Sequence, residues 1–254
     1  MTTQKRTSED QVLANRAELA ASVAPVSGDG AEAMRRATRH AERRTIQLIQ
    51  DQPPPNGHAG RRALAHAGRV AVAGAIDTCH GGGRLTDDQA AWLTVLLRDL
   101  EVRDDAWSRM YPEHRQANRR LWTDLTRRAQ PGYIAAPATL LAFVAWQSDN
   151  GALANVALDR ALADDPTYSM ADLLRKAINA GAPPSVTRLP MSPEQIADSY
   201  DALGEEPVLR PVAPQGPTRR WRPGNRRARP GLMPRPGHPG QDSPGRIHAE
   251  PAGV

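Results

Sequence analysis

Residues 135–146 read AAPATLLAFVAW, and Thr139 is their one polar side chain. Twelve residues is too short for a membrane span, which needs about 20 apolar residues. It is the right length for a helix buried on every side, with Pro137 fitting the first turn. A buried helix needs other helices around it, and the flanking sequence supplies them. Before it, Ala117, Leu121, Leu125 and Ala129 recur every four residues, with Arg and Asp between them. After it, Ala154, Leu158, Ala161 and Leu162 form one stripe, and Met170, Leu173, Leu174, Ala177 and Ile178 form another. These are helical periods. No segment shows the strict alternation of a half-buried strand, so the fold class is all-α, an irregular bundle of antiparallel helix hairpins.

Further out, the punctuation continues the pattern. Ser8 to Ala24 reads as a first helix stopped by Pro25, with Gly28-Asp29-Gly30 as a turn. A second helix runs from about Ala31 to Gln50 and carries Arg35, Arg36, Arg39, Arg43 and Arg44. Pro53-Pro54-Pro55-Asn56-Gly57 breaks the chain. The third helix, Arg61 to about Cys79, is rich in alanine, with Leu64, Val70 and Ile76 as bulk. Thr86 and Gln89 form a capping-box pattern ahead of Leu93, Leu96, Leu97 and Leu100, which share a helical face. A last short helix begins at Ser192-Pro193. Three regions follow: loosely packed N-terminal helices and a Pro-rich linker over 1–57, a helical core over 58–204, and a tail over 205–254.

The tail holds 11 of the 23 prolines and seven glycines, a composition that cannot bury enough surface to offset chain entropy. It also explains the charge. The chain is +5, but residues 207–254 contribute nine Arg against Asp242 and Glu250, a net +7, which leaves −2 on residues 1–206. The body as a whole therefore carries no polyanion signature. Cys79 is the single cysteine, so no intrachain disulfide forms. The polar start, Met1 to Leu19, has no signal-peptide core, and no span is present, so a cytoplasmic location without membrane contact is expected.

Four runs resemble a family known only as domain of unknown function 4192, of actinobacteria. They are the stretch from Tyr133 to Leu174, APVSGDGAEAMRRAT at 24–38, LTDDQAA at 85–91 and VRDDAW at 102–107. The resemblance spans roughly Leu13 to Tyr200. It implies no established activity. Members of that family begin with an α/β half that this sequence does not show, so the chain is expected to correspond to the helical C-terminal half. Inside the first run, Ala154 to Pro166 is similar to the second helix of a tetratricopeptide repeat, which implies repeat-like hairpin packing around 137–180.

Individual residues offer little chemistry. Cys79-His80 lacks any CxxC, HxxxH or HExxH companion, and neighbours in a helix do not share a face, so it reads as a buried thiol at a helix end. Gly81-Gly82-Gly83 follows a helix instead of a strand and lacks the lysine of a phosphate loop. The pairs Asp87-Asp88 and Asp104-Asp105 read as helix starts, where carboxylates suit the dipole, and Asp164-Asp165 as a turn. Trp107, Trp122 and Trp146 are candidates for a partner groove. Arg219, Arg220, Arg222, Arg226, Arg227 and Arg229 around Trp221 have the ingredients of loose polyanion contact.

No catalytic residue, cofactor or metal is expected. The favoured reading is a non-catalytic helical protein-interaction module, whose partner is another protein or a separate α/β domain. The alternatives are a nucleic-acid-associated protein tethered by the basic tail, or an inactive fragment of a larger enzyme. Limited proteolysis is expected to cleave after the tail arginines and leave a stable core ending between about residues 180 and 206. Resistance through Arg229 would contradict the compositional argument.

Overall fold

The computed structural model describes residues 15–54, 56–187 and 191–203, all within one compact unit, Met1–Pro223. The tail, including Arg219–Arg229, lies outside the described residues. Among those described there are helices and no strands. They are α1 (15–22), α2 (Gly28–Gln50), α3 (Asn56–His80), α4 (Asp87–Leu96), α5 (Leu100–Ser108), α6 (Arg115–Arg128), α7 (Ala135–Trp146), α8 (Gly151–Asp164), α9 (Ser169–Asn179) and α10 (Pro193–Leu203). Short 3-10 turns occupy Pro112–His114 and Pro184–Thr187.

All twelve residues of α7 are buried. It packs against α6, α8 and α9. Ala154, Ala157 and Ala161 of α8 are fully buried, and small side chains let the α7–α8 hairpin close tightly. Such a helix has a problem at its N-terminus, where the first N–H groups lack intrahelical acceptors. Ile134 precedes α7 and its side chain cannot cap. Asp164, at the end of α8, does so from across the hairpin. Its carboxylate accepts from Gly132 N at 2.7 Å, Ile134 N at 2.8 Å and Ala135 N at 3.1 Å. Burial pushes this carboxyl up from its ordinary value, against the pull of those three N–H groups and of Arg160.

Two of the helix starts follow the sequence closely. Gln89 N donates to Thr86 Oγ1 at 3.2 Å while Thr86 N donates to Gln89 Oε1 at 2.9 Å. Ser192 and Gln195 repeat the arrangement at α10. Other expectations are corrected. The Gly28-Asp29-Gly30 turn is the first turn of α2, entered through Gly28 at φ 61°. The leucine stripe Leu93 to Leu100 is broken: Asp99 accepts from Glu101 N and Val102 N and starts α5, which leaves Leu100 37% exposed. Asp104-Asp105 therefore sits inside α5 and not at its start, and Asp105 is fully buried. Val70 is exposed, and Leu64, Val72 and Ile76 supply the bulk of α3's buried face.

Met34, Ala37 and Ala41 of α2 belong to the same buried cluster as Leu93, Trp122 and Phe143. Within it, α3 and α5 approach closely at Gly68, where a Cβ would collide with the buried Val102 side chain.

Replacing Asp164 with Ala strands the N–H groups of Ile134 and Ala135. A loss of about 2–4 kcal/mol in unfolding free energy is expected by denaturant titration. Asp164→Asn, which keeps one acceptor oxygen, should lose less. Equal stability of Asp164→Ala and the parent would remove the cap from the account of the fold.

Candidate functional site

The tryptophans do not form a groove. Trp122 is fully buried, Trp146 is 8% exposed, and half-buried Trp107 meets Phe143 edge-on at 5.5 Å between centroids. All three pack in or against the core cluster, because large aromatics bury the most area. Asp87 and Asp88 lie in the first turn of α4, where Asp87 accepts from Arg128 Nη1 at 2.8 Å. Asp165 caps the end of α8. Cys79 is buried, and burial pushes its thiol up, away from reactivity. His80 lies against His114, with ring centroids 3.9 Å apart. Among the described residues no group of three or more His, Cys, Asp or Glu is placed to hold a metal ion.

The open feature is a groove of about 420 Å³ between α3 and α10. His66, Arg69, Val70 and Ala73 line it from α3, and Pro193, Glu194, Ala197 and Asp198 from α10, with Arg109 between. Val70 is 60% exposed, on the open side of α3. The groove has an apolar strip of Val70, Ala73 and Ala197. A basic wall stands on one side and an acidic wall on the other.

Ion pairs under the groove brace its basic wall. Arg69 pairs with Glu101 of α5, and Arg61, fully within α3's buried face, stands 3.7 Å from the same carboxylate. Arg109 holds Asp105 with two bonds of 2.9 Å. Burial pushes the Asp105 carboxyl up, and Arg109 opposes that shift. On the other side, Tyr200 donates to Asp104 Oδ2 at 2.7 Å, and Arg62 pairs with Asp201 at 2.9 Å. Burial first, and then the Asp104 charge, push the Tyr200 phenol up, so it stays a donor. These groups are held by one another, as a scaffold needs, and none is poised as a free acid or base.

A smaller pocket of about 240 Å³ lies between α2 and α4 near Tyr133. Tyr133 donates to Glu42 at 2.6 Å, and burial raises its phenol to about 12. Arg98 covers the ring. This hydrogen bond ties α2 to the entry of α7.

Sequence reading missed the groove residues. His66, Val70 and Ala73 stand at i, i+4 and i+7, a spacing visible in the sequence, but nothing local says that this face lies open. Glu101 shows why these ion pairs matter. Its side chain is 5% exposed and faces two guanidiniums. Glu101→Ala leaves Arg61 buried without a counter-charge, and a loss of about 3–5 kcal/mol is expected in chemical denaturation. A change within error would mean that water reaches Arg61.

The sequence family described as Domain of unknown function (DUF4192) matches residues 6–185. The match takes in α3 and α5 and stops before α10. No curated protein and no solved structure matches the chain.

Proposed function

Because the chain belongs to the DUF4192 family, whose members carry no assigned activity, we propose a function from the surface alone: a non-catalytic helical protein-interaction module that binds its partner in the α3–α10 groove. The single observation carrying this reading is exposed Val70 on an apolar strip, between an Arg wall that buried carboxylates brace and the acidic residues of α10. Apolar contact supplies affinity at such a surface, and fixed charges of both signs select the partner and its direction. The braced arginine wall also lowers the ordering cost of binding on its side.

Among the described residues no helix is long and apolar enough to cross a membrane. A photo-crosslinking residue at Val70, expressed in the source organism, is expected to capture one discrete protein. The same residue at Gln116, on the exposed face of α6, should not capture it. The purified pair should then bind in calorimetry, with Val70→Glu weakening binding at least tenfold. No adduct at Val70 above the Gln116 background, with the protein folded and abundant, would overturn the reading.

A further inference from the structure

The longest exposed charge array on the described body is on α2, whose sequence is GDGAEAMRRATRHAERRTIQLIQ. Its buried stripe is Met34, Ala37, Thr38 and Ala41, packed toward α4. At 100° per residue, Arg36, Arg39 and Arg43 fall on the opposite side, along one line. All three are exposed, as are Arg35, His40 and Arg44. The line spans seven residue steps, about 10 Å of helix axis.

The pairing on this face is uneven. Glu32 serves Arg35 and lies 3.6 Å from Arg36. His40 leans toward Asp88 at 4.0 Å, and Arg44 lies over the Trp92 ring at 4.0 Å. Arg39 has Arg35 and Arg43 as its i−4 and i+4 neighbours, and Arg43 has Arg39 and Gln47. Glu42, the nearest acid in sequence, is turned inward to Tyr133. Like charges at i, i+4 repel, so this ladder opposes the helix that carries it until an anion covers it. A series of charges evenly spaced on a rigid helix suits an anion whose charges also repeat evenly.

We infer that the outer face of α2 is a contact surface for the phosphate backbone of double-helical nucleic acid, with Arg36, Arg39 and Arg43 as the phosphate ligands. The contact is independent of base sequence. It is separate from the α3–α10 groove and does not rest on the protein-partner reading. An acidic membrane is a poorer fit, because an interfacial helix inserts an apolar face, and α2 buries its own against α4. Ile46 alone stands apolar and exposed near the end of the line.

The test uses the full chain and a fluorescein-labelled duplex of about 20 base pairs with arbitrary sequence. Anisotropy titrations run from about 50 to about 200 mM salt. Each phosphate contact contributes about 0.9 to the slope of log affinity against log salt. Replacing Arg36, Arg39 and Arg43 together with Gln is therefore expected to reduce that slope by about 3 and to weaken binding at least tenfold at the lowest salt. Replacing them with Lys should preserve most of it. Thermal melting of each variant checks that α2 remains folded. A companion variant with Arg219, Arg220, Arg222, Arg226, Arg227 and Arg229 changed to Gln separates the tail from the body.

Retention of part of the binding by that variant, lost when the α2 arginines are also changed, supports the inference. Absence of duplex binding by the parent chain overturns it. So does binding that vanishes with the tail arginines and is untouched by the α2 change. A third contrary outcome is arginine-dependent binding to acidic phospholipid vesicles with none to the duplex.

Discussion

A helix with no polar side chain to cap itself and a buried start must borrow an acceptor, and α7 borrows Asp164. That carboxylate reaches three N–H groups 29 to 32 residues earlier in the chain. The borrowing sets more than the end of one helix. It fixes where α8 stops against where α7 starts, which sets the register of the α7–α8 hairpin. Phe143, Leu140 and Leu141 can then be fully enclosed, and α6 and α9 close over them. An apolar helix without this cap would gain from burial and lose at its stranded donors.

The legible part of the fold was the part written locally. The apolar run at 135–146, the capping box at Thr86–Gln89, the helix start at Ser192, and the stripe on α9 apart from Leu173, which is 65% exposed, depend on neighbours within a few residues. Asp164 is different. In the sequence it is one of an acidic pair before Pro166, and its three donors are far away. Leu100 misled for a related reason. Its spacing from Leu93 is helical, yet the Asp99 side chain takes the N–H groups of Glu101 and Val102 and restarts the helix. Local capping outranked periodicity there. The candidate site was less legible than the fold. Tryptophan signals area to bury, and all three candidates were drawn to the core. The groove arises from α3 and α10, more than a hundred residues apart, and no local pattern reports it.

The reliance on arginine shapes the interior as well as the surface. Arg61 and Arg69 join α3 to α5 through Glu101, Arg109 braces Asp105 at the end of α5, and Arg128 joins α6 to Asp87 and to the Leu85 carbonyl. The planar guanidinium suits this because it makes several directed bonds from one buried position. These pairs give the helices defined azimuths that small alanines could not specify. Alanine-rich contacts such as those of α3 slide easily, and Gly68 against Val102 adds a steric stop to the ionic one.

The attachment of α10 differs from that of the helices around α7. Pro193 and Ile196 are its buried residues among those described, and its other ties are the Arg62–Asp201 pair and the Tyr200–Asp104 hydrogen bond. An exposed pair is screened within a Debye length of about 8 Å at physiological ionic strength, so the Arg62–Asp201 tie weakens as salt rises. A competing carboxylate that engages Arg62 would loosen the acidic wall without entering the groove.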